Sequence, residues 1–176
     1  MKGLKLTSAI VLLSFMVINP RVNAQELPDT NVTPQVEKFQ VESNPNPNLR
    51  EDKQQAVNYL RQGFSLLKNK NYPEAIKAFN EVIKIQPNNQ YGYFGRGVSY
   101  FQLKQYQQAK TDLDKTIELD NSISYAYFFR GVSNGVLGNK TDAIKDLETA
   151  ARLFDKDGNT ELAQTSRDAI KQLRNA

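Results

Sequence analysis

The chain has 176 residues, 23 Lys and Arg against 19 Asp and Glu, and neither cysteine nor histidine. The missing cysteines exclude disulfides, thiol chemistry and lipid attachment at a cleavage-site cysteine, and without histidine a Ser-His-Asp triad cannot be assembled. No glycine-rich phosphate loop of the Walker or dinucleotide type is present either, so the chain is expected not to be an enzyme, to need no cofactor and to have no small-molecule substrate.

Met1 to Ala24 has the layout of an export signal. Lys2 and Lys5 precede a largely apolar run, Leu6 to Ile18, and Val22-Asn23-Ala24 offers small residues for cleavage before Gln25. A helix over that run spans roughly 20 Å, short of the ~30 Å hydrocarbon layer, although an uncleaved signal anchor is the rival reading. Cleavage removes Lys2, Lys5 and Arg21 and no acidic residue, leaving 20 basic against 19 acidic residues. The basic residues that remain are interleaved with acidic ones, without the basic stripe of a nucleic-acid binder. The expectation is an exported protein of the periplasm or an equivalent compartment, with no nucleic-acid partner. Membrane contact is expected only through the signal before cleavage.

Gln25 to Arg50 carries Pro28, Pro34, Pro45 and Pro47, several Asn and acidic residues and few large apolar side chains. Such a stretch buries too little to offset its ordering entropy, so residues 25–50 read as a disordered tether. Val36, Phe39 and Val41 are a candidate docking motif within it.

From about Glu51 the pattern turns helical. Glu51 and Asp52 suit a first helical turn, where negative charge is favoured, and Ala56, Tyr59, Leu60, Gly63, Phe64, Leu66 and Leu67 make an apolar face. Lys68-Asn69-Lys70-Asn71 breaks the pattern, and Pro73 fits the first turn of a second helix. The same grammar returns 34 residues later and again after another 34. Tyr59, Tyr93 and Tyr127 form one column, Gly63, Gly97 and Gly131 a second, and Ala75, Ala109 and Ala143 a third. A period of this size marks stacked units that bury their apolar faces only against their neighbours. The units run 56–89, 90–123 and 124–157, each a helical hairpin, with small residues such as Gly97 and Ala109 where the two backbones approach most closely. Gly92 and Gly95 are expected to weaken the central first helix and let it adapt. Arg96 and Arg130 are read either as rim contacts for acidic groups or as ion pairs with Asp112 and Asp146.

The third unit breaks at Gly138-Asn139, a glycine stop followed by a good helix cap. Asp155-Lys156-Asp157-Gly158-Asn159 looks like the start of a calcium loop, but Thr160 stands where that loop needs its glycine and Ser166 where it needs its bidentate Glu. A helix-linking turn is the better reading, and no metal site is expected. A last amphipathic pattern over 159–174, with Leu162, Ala163, Ala169, Ile170 and Leu173, reads as a capping helix over the final apolar face.

These columns resemble the tetratricopeptide repeat (TPR) family over 56–157. The first unit matches at Tyr59, Gly63, Ala75, Phe79 and Pro87. The second matches at Tyr93, Gly97, Tyr100, Ala109 and Leu113, and the third at Tyr127, Gly131, Ala143 and Leu147. Tyr replaces the usual Trp, and Asn134 stands where the third unit should have an aromatic residue. The resemblance implies an all-α, right-handed superhelical solenoid of three helix-turn-helix repeats plus a capping helix. It also implies that the first helix of each pair lines a concave groove for a polypeptide partner. By repeat position the groove residues are Leu60, Phe64, Tyr91, Phe94, Val98, Phe101, Tyr125, Phe128 and Val132. Family members that grip a chaperone's C-terminal carboxylate use Lys, Arg and Asn in the groove. Here Leu60, Phe64, Phe94, Val98 and Val132 occupy the nearest slots, which points instead to an apolar peptide or amphipathic helix. The expected role is an adaptor or assembly factor. The alternative is a fixed structural subunit whose groove is filled by a second copy or by its own tether.

Overall fold

The computed structural model describes residues 47–175; the export signal, most of the tether and residue 176 lie outside the described residues. Within them are seven α-helices and no strand: α1 (Pro47–Lys68), α2 (Tyr72–Ile85), α3 (Gln90–Gln102), α4 (Tyr106–Leu119), α5 (Ser124–Val136), α6 (Lys140–Lys156) and α7 (Thr160–Asn175). α1 begins at Pro47, inside the stretch expected to be tether, and Glu51 and Asp52 therefore lie past its first turn. Proline is compatible with that start because the first turn needs no N–H donor.

Each helix packs on the next, and α1 touches α3 while α3 touches α5. The odd-numbered helices thus form one layer and their even-numbered partners the other: a helical solenoid of three hairpins closed by α7. The three hairpin turns and the turn into α7 share one backbone solution. Asn71, Gln105, Asn139 and Asn159 donate their N–H to the carbonyls of Leu66, Tyr100, Asn134 and Phe154 at 2.9, 2.9, 2.8 and 2.8 Å. The residue before each donor is left-handed: Lys70 and Lys104 at φ 61°, Gly138 at 85° and Gly158 at 76°. This is the Schellman closure of a helix C-terminus, which satisfies carbonyls the helix leaves unpaired. Asn139 does not cap α6 through its side chain, contrary to the expectation; its amide donates to Asn134 instead, at 3.3 Å.

The glycine column marks close packing. A Cβ on Gly97 would lie 3.4 Å from the Ala109 carbonyl oxygen, and one on Gly131 would lie 3.2 Å from that of Ala143. Gly95 does not loosen α3. A Cβ there would sit 2.2 Å from the Phe79 ring, and one on Gly63 would sit 2.7 Å from the same ring. Phe79, fully buried, is wedged into slots on two different helices, so Gly95 is a packing glycine.

Arg96 and Arg130 are structural. Arg96 forks onto both oxygens of Asp112 at 2.8 and 2.7 Å and reaches Asn80 at 2.7 Å. Arg130 does the same to Asp146 at 2.9 and 2.6 Å and to Asp114 at 2.8 Å. Each guanidinium also lies over a tyrosine ring, 5.6 Å from the centroid of Tyr93 or Tyr127. One arginine thereby ties its own helix to its hairpin partner and to the preceding hairpin. Asn134, buried in the third unit, donates to Asp146 at 3.1 Å, so the polar residue in the aromatic slot joins this network.

Candidate functional site

Most residues expected to line an open groove are interior. Leu60, Val98, Phe94, Phe101, Val132, Phe128 and Tyr91 are buried, from 1% to 9% exposed; only Phe64 and Tyr125 are half-buried. Phe94, Val98, Phe101, Phe128 and Val132 belong to one apolar core that continues into Leu113, Leu147 and Phe154. The only exposed large apolar side chain among the described residues is Leu137. These side chains therefore belong to the core and do not stand exposed along an open trough. Bulky side chains from successive repeats cover one another, as where Phe101 meets Phe129 edge to face at 5.0 Å between centroids. Covering them from water is favourable at roughly 25 cal/mol per Å² of apolar surface.

One end of that face is open. A hollow of about 530 Å³ is lined by Tyr91 and Phe94 of α3, residues Asp120, Ser122 and Ile123 before α5, Ser124 and Tyr125 at its start, and Leu153, Lys156 and Asp157 at the end of α6. Three groove residues, Tyr91, Phe94 and Tyr125, are brought together here; the other six are not part of it. The polar residues escaped the sequence reading because Asp120 and Asp157 are not related by the repeat period.

Its walls are held locally. Asp120 Oδ1 accepts from the N–H and the hydroxyl of Ser122 at 2.9 and 2.6 Å, which shapes the turn into α5. Ser124 donates its hydroxyl to Asp157 Oδ2 at 3.2 Å. Asn89 caps α3 by accepting from the N–H groups of Tyr91 and Gly92 at 3.0 and 3.1 Å. The Tyr125 ring stands edge to face on Phe154, 5.0 Å between centroids, and its buried hydroxyl has no hydrogen-bond partner among the described residues. Burial and the nearby Asp157 charge push the Tyr125 phenol up to about 12. Burial and then Asp120 raise Tyr91 also, against an opposing hydrogen bond with Gln90.

The calcium-like segment is spent on three separate tasks. Asp155 pairs with Arg167, Asp157 accepts from Ser124, and Asn159 caps α7 by accepting from Leu162 N–H at 3.1 Å. No group of three or more potential ligands is assembled among the described residues.

Two stretches match known repeat models: residues 63–104 a model described as TPR repeat, and residues 91–123 one described as tetratricopeptide repeat. Solved TPR domains share the architecture. The TPR2B domain of yeast Sti1, in its pHsp70 complex, aligns at TM-score 0.64 and 22% identity over 69% of this chain and 98% of that one. The second TPR domain of human RPAP3, in complex with the HSP70 peptide SGPTIEEVD, aligns at 0.61 and 28% over 68% and 98%. The first TPR of Spaghetti (RPAP3), bound to the HSP90 peptide SRMEEVD, aligns at 0.61 and 27% over 69% and 94%. No curated protein matches this sequence. The fold is thus a TPR-like helical solenoid, and the chain carries TPR repeats.

Proposed function

We propose that the chain is a non-enzymatic protein-interaction module that holds a segment of a partner polypeptide at the open end of its solenoid, between α3, α5 and α6. The observation that carries this reading is the hollow itself: aromatic walls and a polar rim fixed on helices whose packing does not depend on an occupant. A preformed site limits the entropy lost on binding. The two solved RPAP3 TPR domains named above hold short peptides, which supports a peptide as the class of ligand. The partner is an amphipathic segment, its apolar face against the aromatic wall of the hollow and its polar face against the rim. We place the protein outside the cytoplasm, as an adaptor or assembly factor at the cell envelope, on the strength of the Met1 to Ala24 pattern.

Photo-crosslinking amino acids at Ser122 and Lys156, on the rim, test the site in living cells. Capture of the same partner from both positions, with none from Lys77 on α2, is the expected result; equal capture from all three sinks the assignment. Sedimentation separates the alternative, because a fixed subunit whose site is filled by a second copy gains mass with concentration. N-terminal sequencing of the recovered protein tests export: a chain starting at Gln25 is expected, and an intact Met1 overturns cleavage.

A further inference from the structure

The chain builds one cluster twice and fills it with its own arginine. At Arg96 and at Arg130 a guanidinium lies over a tyrosine ring and is forked onto an aspartate, with a second acceptor from the neighbouring hairpin. The hollow assembles the same parts a third time: the phenols Tyr91 and Tyr125 and the carboxylates Asp120 and Asp157, drawn from different hairpins. No arginine among the described residues lines it. Among the described residues, Asp120 Oδ2 and Asp157 Oδ1 accept no hydrogen bond, and the Tyr125 hydroxyl is buried without a partner. The one cation on the wall, Lys156, pairs with neither carboxylate. The lining therefore carries two negative charges against one positive.

We propose that the hollow seats the guanidinium of an arginine presented by a partner polypeptide, held between Asp120 and Asp157 and against the tyrosine rings. A planar guanidinium meets both demands at once, because it forks onto carboxylates and stacks on aromatic faces, whereas an ammonium acts as a compact point charge. Arginine is accordingly preferred over lysine. The specificity is the reverse of the acidic EEVD ends named for the solved TPR complexes: an acidic side chain entering here would face two carboxylates in a partly desolvated space. This inference rests on the peptide-binding reading above and names the side chain that reading leaves open.

The test is selection of random twelve-residue peptides displayed on phage against the purified full chain, followed by fluorescence anisotropy with the best binder. The selected peptides are expected to share an arginine, and replacing it by citrulline, which keeps the shape and removes the charge, should weaken binding at least about tenfold. Asp120→Asn with Asp157→Asn keeps both local acceptors for Ser122 and Ser124 and should bring the arginine and citrulline peptides to within about twofold; its circular dichroism melt confirms folding. Lys156→Gln provides an independent variant, expected to tighten the arginine peptide. Binders that show no arginine preference, or whose preference survives the double substitution, overturn this inference and leave peptide binding standing. Recovery of no binder overturns both. A dimer that dissociates on Asp157→Asn also overturns it, by making a second copy the occupant.

Discussion

Arg130 holds both oxygens of Asp146 with its Nε and Nη2 while its Nη1 reaches Asp114 in the preceding hairpin. The side chain of Asp146 is 7% exposed and that of Arg130 20%, so the pair is largely desolvated and its geometry matters. Arg130→Lys keeps the charge and loses the fork and the ring stacking, and should cost about 2 kcal/mol in urea unfolding. Arg96→Lys should cost less, because its third partner is the neutral Asn80 instead of a carboxylate. Equal losses at the two sites would show that the charge on the inter-hairpin acceptor contributes nothing.

Gly95→Ala sets two effects against each other. Alanine improves helix propensity by about 1 kcal/mol, but its methyl would stand 2.2 Å from the Phe79 ring, and the ring cannot retreat because Gly63 lies against it on another helix. Overpacking of this kind costs about 1–3 kcal/mol, so the variant should be less stable than the parent. Adding Phe79→Leu should recover part of the loss. A stabilised Gly95→Ala single variant would show that α3 shifts freely.

Lys104 sits at φ 61° in the turn where the third hairpin has Gly138 at 85°. A left-handed lysine costs about 1–2 kcal/mol, whereas glycine there costs only its extra unfolded-state entropy, roughly 0.5–1 kcal/mol. Lys104→Gly should raise the thermal midpoint modestly, and Lys104→Val should lower it.

Tyr125 should ionise at about 12 against an ordinary 10.0. The neutral phenol is favoured in the folded chain, so its share of stability is complete below pH 10 and is lost as pH rises through about 12. Phenolate absorbance of the wild type minus that of Tyr125→Phe reads the transition directly. At neutral pH Tyr125→Phe keeps the ring contact with Phe154 and removes a hydroxyl that has no partner, so it should melt no lower than the parent. A difference titration centred on 10.0 would place the ring in open water.

The repeat period, the hairpins and the closing helix were legible in the sequence, because equal spacing of Tyr59, Tyr93 and Tyr127, and of the glycine and alanine columns, reflects packing that each unit repeats against the next. The destination of individual side chains was not. Phe94, Val98 and Phe128 hold the positions of a groove, yet whether a groove stays open depends on the bulk of what faces it from the neighbouring helix, and here those side chains close over one another. Gly95 read as a weakness because its reason, the Phe79 ring, comes from the other layer. The hollow was out of reach for the same cause. Asp120 and Asp157 share no register; the third hairpin brings the end of α6 beside the start of α5, and only its stacking on the second hairpin adds the start of α3, so that two carboxylates distant in the chain meet two phenols. Local sequence periodicity sets which helices form and which faces they bury; what is left uncovered is a property of the sum of side-chain volumes across helices, which tertiary packing alone decides.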